Sequence, residues 1–273
     1  MVSLKGLVKT LTVTKYPYAA LIAKLNGKRR LITFANGAKF RLTWYQFTLL
    51  RDNYELMQKY HLEQVDDEGF KLSNGRFRLV GSPVLMCPVS ELDSGIYDCN
   101  CQDKVVLDVG GFQGESAVFF SGMGAKKVII YEPVKAFHRF IKENITVNKV
   151  NAEIHEEGIG AVDGEIIIPY EKGNNWIGLS RTGPYEMKIK IRNIAKIIEE
   201  SGANVAKIDC EGAEECLINV PAETLRRVEL YIIEVHTPEI KWKIIQKFKD
   251  SGFNLTKDIE ENKQFSVIFL ERT

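Results

Sequence analysis

The chain has 273 residues, enough for one large domain or for a catalytic domain with an appendage. Apolar residues make up 45% and charged residues 27%, which excludes wholesale disorder, and a net charge of +1 selects no partner by itself. No apolar run approaches the roughly 18 residues that span a bilayer. The longest near the N-terminus, Tyr18 to Ala23, lies between Lys15 and Lys24 and precedes no small-residue cleavage site, so no signal peptide is expected. The five cysteines, Cys87, Cys99, Cys101, Cys210 and Cys216, are odd in number and few for this length. They point to a reducing compartment and a cytoplasmic protein rather than to a disulfide scaffold.

The even charge balance hides an uneven distribution. Lys5, Lys9, Lys15, Lys24, Lys28, Arg29, Arg30, Lys39, Arg41 and Arg51 precede the first acidic residue, Asp52. Residues 1–51 therefore form a cationic segment that suits nucleic acid, an anionic membrane surface or a phosphorylated substrate. A solvated basic face is the plain alternative. Residues 1–100 read as an α+β accessory region. Lys28 to Thr43 is expected to be a hairpin turning at Asn36-Gly37, which suits a two-residue type I′ turn. Tyr45 to His61 has helical spacing through Phe47, Leu50, Tyr54 and Leu56, and Gly69 to Val80 is a second hairpin turning at Asn74-Gly75. A loop with Pro83 and Pro88 leads to a helix over Val89 to Tyr97, which Asp93-Ser94-Gly95 can interrupt.

Residues 101–273 change to alternating strands and helices. Val105–Val109, Lys127–Tyr131, Ala152–Glu156, Val205–Asp209 and Leu230–Val235 are short apolar strands. Helices are expected over Gly114–Met123, Val134–Asn148, Ile194 to Gly202 and Pro238–Ser251. Ile166–Tyr170 and Met187–Ile191 form a hairpin excursion, and Phe253–Thr256 and Phe265–Leu270 an antiparallel closing pair. Strands this apolar, each followed by a helix, predict an α/β fold: a doubly wound, mostly parallel seven-stranded sheet covered on both faces.

The first strand–turn–helix carries the chemistry. In Asp108-Val109-Gly110-Gly111-Phe112-Gln113-Gly114-Glu115-Ser116 an acid ends the strand, and the glycines let the backbone approach a ligand at the next helix's N-terminus. The spacing is not G-x-G-x-x-G, which disfavours a nicotinamide dehydrogenase. An acid at Asp108 suits a cationic ligand end, and Glu132 at the tip of the second strand suits both hydroxyls of a ribose. An ordinary tight turn, with Asp108 capping the helix, is the structural alternative.

Residues 105–270 resemble a class I S-adenosylmethionine-dependent methyltransferase, specifically the FkbM family. The match rests on Val106 to Gly114, Tyr131-Glu132-Pro133, Gly158-Ile159-Gly160 with Asp163-Gly164-Glu165, and Lys207-Ile208-Asp209-Cys210-Glu211-Gly212-Ala213-Glu214. Residues 1–100 lie outside it. The resemblance implies a Rossmann-like methyltransferase domain with S-adenosylmethionine as cofactor. Asp108, Gly110, Gly111 and Gly114 would hold its methionine part, Glu132 its ribose, and Glu157 and Gly158 would border its adenine. The family also implies methyl transfer, usually to oxygen, on a small-molecule, glycan or lipid-linked acceptor.

In a doubly wound sheet the fourth and fifth strands lie side by side. Their ends carry Asp209 and Glu211 on one and Glu234 and His236 on the other. His236 and Asp209 are the leading candidates for a general base, with Asp209 orienting the imidazole. Glu211 joins them because the family motif contains it. Glu214 reads as first-turn dipole complementation, and His236 as either the base or a strand-end histidine bonded to backbone. Asp209, Glu211 and His236 could hold Mg²⁺, Mn²⁺ or Fe²⁺. No second Asp/Asn pair follows the fifth strand, so no metal is expected. Cys99-x-Cys101 is too closely spaced for the usual zinc pair. Asn174, Asn175, Trp176, Ser180 and Arg181 could line an acceptor pocket or merely cap a hairpin. Two competing functions remain: an RNA methyltransferase gripping phosphates through residues 1–51, and a non-catalytic cofactor-binding module. No Asn-Pro-Pro or Asp-Pro-Pro motif follows the fourth strand, which argues against methylation of base amino groups.

Overall fold

The computed structural model describes residues 4–67, 69–170, 183–260 and 265–273. The expected acceptor-pocket residues Asn174, Asn175, Trp176, Ser180 and Arg181 lie outside them. The chain forms two compact units, Met1–Asp93 and Ser94–Thr273, so Ser94 to Asn100 belong with the second unit.

The first unit opens with two helices that the hydrophobic pattern did not announce, α1 (Leu4–Val13) and α2 (Pro17–Asn26). Strands Arg30–Thr33 and Lys39–Leu42 pair antiparallel, Arg30 opposite Leu42. Their turn differs from the expected one: Gly37 takes a positive φ of 89° but Asn36 does not. The Gly37 amide donates to the Phe34 carbonyl at 3.0 Å, and the Asn36 side chain accepts from the Ala38 amide at 3.1 Å. Those bonds need one left-handed residue, not the two of a type I′ turn. The next helix covers only Trp44–Asp52, held by a Thr43/Gln46 capping box. The expected helix to His61 breaks at Asn53, whose side chain donates to the Leu49 carbonyl at 3.0 Å. A short helix, Leu56–Lys59, follows, and His61–Gln64 is instead a strand beside Phe70–Ser73 and Arg78–Gly81. The last helix of the unit, Met86–Asp93, starts and ends earlier than the spacing predicted, with Gly95 at φ 79° beyond it.

The second unit is built on a seven-stranded sheet: β1 (Val105–Val109), β2 (Lys127–Tyr131), β3 (Ala152–His155), β4 (Val205–Ile208), β5 (Leu230–Val235), β6 (Phe253–Glu260) and β7 (Ser266–Arg272). The spatial order is β3-β2-β1-β4-β5-β7-β6. The first five strands run parallel, and β7 lies antiparallel between β5 and β6. Strand order reverses between β1 and β4, the switch point where the C-terminal ends of a doubly wound sheet open a crevice. The central strands bury both faces, so Val106, Leu107, Ala206, Ile208, Ile232 and Ile233 are apolar without alternation. Asn193 caps helix Ile194–Ser201 and Gly202 ends it in the left-handed region. Thr237 caps Pro238–Asp250, which packs Ile244 and Phe248 into the core. The helix expected from Val134 begins only at His138. A 3₁₀ turn, Lys135–Phe137, precedes it; Glu132 accepts from the Val134 amide and His138 bonds the Glu132 carbonyl, which winds this first turn more tightly than an α-helix. The excursion is a three-stranded sheet in which Tyr185–Asn193 pairs with Gly164–Tyr170 and Gly158–Gly160.

Candidate active site

The predicted residues gather at the C-terminal ends of β1 to β5 in two groups. The first surrounds the glycine turn after β1. Gly110 takes φ 78°, and a Cβ there would stand 1.7 Å from the Asp209 carbonyl oxygen. Only glycine allows β1 and β4 to close to this distance. Gly111 and Gly114 complete the turn, with Phe112 in the left-handed region at φ 42°. The Gly110 amide donates to the Tyr131 carbonyl at 2.9 Å, tying the turn to β2. Glu115, in the first helical turn, accepts from the Gln113 amide at 3.1 Å; burial pushes its carboxyl up to about 8.

Neither acid of the turn stands open to solvent. Asp108 is fully buried and accepts from the Ser116 hydroxyl at 2.6 Å. Its second oxygen lies 3.5 Å from the Lys207 ammonium and has no hydrogen-bond partner. Burial raises the Asp108 carboxyl above its ordinary range against the pull of Lys207 and Ser116. Lys207 also donates to the Gly110 carbonyl at 2.9 Å and lies 3.2 Å from Asp209. Burial would lower its pKa, but Asp209 and Asp108 outweigh that and raise it. The chain thus supplies internally the cation that the sequence pattern assigned to a ligand. Glu132 accepts from the Phe112 amide at 2.9 Å and the Val134 amide at 2.7 Å, and burial pushes it up to about 8 against those bonds. Each of its oxygens has one further lone pair. Glu157 pairs with Lys190 and, at 3.8 Å, with Arg192. Gly158 follows it at the start of the excursion sheet.

Among the described residues, three buried side-chain polar atoms lack a hydrogen-bond partner, Asp108 Oδ1, His138 Nδ1 and Glu157 Oε2, though each faces a charged neighbour: Lys207 at 3.5 Å, Glu156 at 3.4 Å and Arg192 at 3.8 Å. Buried polar groups are rarely left unsatisfied. All three stand toward the C-terminal ends of three adjacent parallel strands, β1, β2 and β3.

The second group surrounds His236, just beyond β5. Its Nδ1 lies 3.0 Å from Glu214 Oε1, and its own backbone amide donates to the same oxygen at 3.1 Å. Glu214 also accepts from the Gly212 amide at 2.8 Å. Glu214, not Asp209, therefore orients the ring, which corrects the reading of Glu214 as a dipole partner alone. The other ring nitrogen, Nε2, faces Glu211 at 3.5 Å, Glu234 at 3.7 Å and Asp209 at 4.0 Å. Burial would lower the imidazole pKa, but the bond to Glu214 and the surrounding carboxylates raise it to about 9. Reciprocally, burial raises Glu214, but His236 outweighs that and holds it below its ordinary range. Glu211 adopts a left-handed φ of 55°, uncommon for a residue with a side chain and a mark of local strain. Tyr97 donates its hydroxyl to Glu234 at 2.6 Å.

Asp209, Glu234 and His236 present ligand atoms within 4.8 Å of one another. The Lys207 ammonium lies 3.2 Å from Asp209 in this cluster. Lys207 and Glu214, which contact Asp108, Asp209 and His236, are the residues that sequence reasoning left out of its site. The alternation that puts Lys207 and Asp209 on one face of β4 could have flagged the first. Tyr97 carries no sequence signal, since it lies far along the chain from Glu234.

No family model and no curated protein matches the chain. Solved structures do resemble it. A protein of Pyrococcus horikoshii assigned as an RNA methyltransferase is 14% identical, with 69% of this chain and 85% of that one covered and a TM-score of 0.43. A Streptococcus pneumoniae protein assigned as a tRNA (m1A22) methyltransferase, solved with S-adenosyl-L-methionine, is 16% identical, covering 67% and 72%, with a TM-score of 0.43. A precorrin-6y C5,15-methyltransferase from Geobacter metallireducens is 12% identical, covering 71% and 89%, with a TM-score of 0.40. The order β3-β2-β1-β4-β5-β7-β6, with β7 alone reversed against both its neighbours, is a doubly wound, mostly parallel α/β sheet.

Proposed function

We propose that the chain is an S-adenosylmethionine-dependent methyltransferase of the FkbM type, cytoplasmic, acting on an oxygen of a small-molecule, glycan or lipid-linked acceptor. The observation that carries the cofactor is the glycine turn after β1, with Gly110 and Gly114 at positive φ and Glu132 holding the Phe112 amide at 2.9 Å, at the switch point of the sheet. S-adenosylmethionine, when bound, supplies an electrophilic methyl group on a sulfonium. The turn from Gly110 to Gly114 would hold its methionine end, the free lone pairs of Glu132 its ribose, and Glu157 with Gly158 its adenine.

The second group of residues handles the acceptor. Glu214 fixes the Nδ1 side of His236, so Nε2 is the atom that faces an acceptor hydroxyl. In its neutral form, which a pKa of about 9 makes the major one only at alkaline pH, His236 would take the hydroxyl proton at Nε2, with Asp209 and Glu211 stabilising the resulting imidazolium. Positioning supplies most of the acceleration, and a base adds about 10²–10⁴-fold. The cationic stretch up to Arg51 supports a second reading, ribose methylation of RNA, which requires bulk-RNA affinity that falls steeply with salt.

Calorimetry on the full-length protein with S-adenosylmethionine, S-adenosylhomocysteine and NAD tests the reading. Binding of the first two and none of NAD is expected. Preferential NAD binding, or no heat with any of them, refutes it. Transfer of labelled methyl from the cofactor to fractionated cell extract then identifies the acceptor class. Retained cofactor binding with unchanged turnover in His236→Ala would remove His236 from the mechanism.

A further inference from the structure

Amphipathic helices of a folded unit normally bury their apolar stripe. Helices α1 and α2 do the reverse. In α1, Thr10 and Val13 are buried while Leu4, Val8 and Leu11 are exposed. In α2, Ala20 and Ala23 are fully buried, while Tyr18 is 62%, Ile22 41% and Leu25 85% exposed. Each exposed set has the spacing i, i+4, i+7, one continuous face of a helix. Polar bonds fix the rotation of α1. The buried Thr10 hydroxyl donates to the Gly6 carbonyl at 2.8 Å and accepts from Arg51 at 3.4 Å. The Thr10–Gly6 bond stays within the helix, but rolling the leucines inward would break the bonds from Arg51 to Thr10 and to the Gly6 carbonyl, both 3.4 Å.

The same stretch is cationic. Lys5 in α1, Lys15 between the two helices and Lys28 just after α2 are exposed, and no acidic residue occurs before Asp52. No helix among the described residues is long and apolar enough to cross a membrane. An apolar face flanked by lysines on a short helix matches a surface lying in the headgroup region of an anionic bilayer. RNA phosphates would satisfy the lysines but leave the leucines in water. A second copy would bring two cationic faces together. Anionic lipid answers both features at once.

We propose that the outer faces of α1 and α2 form a peripheral docking surface for anionic membranes. The inference goes beyond methyl transfer and stands apart from it. Sedimentation of the full-length protein with vesicles of phosphatidylcholine, alone or mixed with phosphatidylglycerol, tests it. Partitioning onto the mixed vesicles is expected, weaker by about tenfold or more on phosphatidylcholine alone. A similar loss is expected for the combined variant Leu4→Ser, Leu11→Ser, Ile22→Ser and Leu25→Ser, with its circular dichroism unchanged. As a second readout, the emission that Tyr18→Trp adds over wild type, which has three tryptophans of its own, should shift to the blue on mixed vesicles and be quenched by brominated lipid. Absence of vesicle binding, equal binding by the serine variant, or an unshifted emission from the introduced indole would overturn the proposal. Binding of polyuridylate at low salt that survives the serine substitutions, without vesicle binding, would overturn it in favour of RNA. A dimer lost in the serine variant, again without vesicle binding, would overturn it in favour of a second copy.

Discussion

Replacing Glu214 with Gln tests the arrangement around His236 most directly. The imidazole pKa stands at about 9 against its ordinary 6.5, and the bond to Glu214 is foremost among the influences that overcome burial. A group whose pKa is raised on folding adds stability that is fully present below its unfolded pKa. That stability disappears as pH rises through the folded value. For His236 the window runs from 6.5 to about 9. At about 1.4 kcal/mol per pH unit, the protonated ring contributes about 3 kcal/mol at the lower end and little above the upper end. Glu115 and Glu132, both at about 8, titrate in the same window with the same sign, so wild type alone does not isolate the histidine. The difference between wild type and Glu214→Gln does. Urea unfolding from about pH 6 to 10 should show a gap of about 1–3 kcal/mol at the low end that narrows as pH rises. NMR titration should place His236 near 9 in wild type and about one pH unit or more lower in the variant. Two unfolding curves that stay parallel across the window, or a wild-type midpoint near 6.5, would refute the reasoning. Turnover in wild type should rise with pH until His236 loses its proton, and the Gln variant should reach a lower plateau at a lower pH.

Other expectations follow from the same geometry. Gly110→Ala places a methyl group 1.7 Å from the Asp209 carbonyl and should cost about 2 kcal/mol or more in thermal unfolding, with loss of cofactor binding; a variant that binds S-adenosylmethionine normally would contradict this. Lys207→Met leaves Asp108 and Asp209 without their shared cation and should destabilise by about 3–5 kcal/mol in urea, whereas wild-type stability would mean that the ammonium is dispensable. Glu132→Gln keeps the side-chain shape and should weaken S-adenosylmethionine about tenfold or more by calorimetry, and unchanged affinity would remove Glu132 from ribose binding.

Much of the second unit was legible in its residues. The apolar runs of β1 to β5, Asn193 before Ile194 and Pro238 after Thr237 are local signals, and local signals survive tertiary packing. Asp108 and Glu132 could be placed at strand tips for the same reason. The first unit was harder to read. Helices α1 and α2 turn leucines outward, and Tyr45 to His61 kept a helical spacing that Asn53 interrupts. Periodicity reports which residues share a face, not whether that face meets a core.

Within the site, the sequence alone determined which residues reach the C-terminal edge of the sheet, because strand length and period set that. Only the tertiary structure decided whom they meet there. The parallel pairing of β1 with β4 set Lys207 between Asp108 and Asp209, and the strained turn at Glu211 and Gly212 brought Glu214 rather than Asp209 to His236 Nδ1. Tyr97 reached Glu234 across the fold. Such pairings depend on register and distance between segments remote in sequence, and charge interactions change with every ångström and with each removal of water.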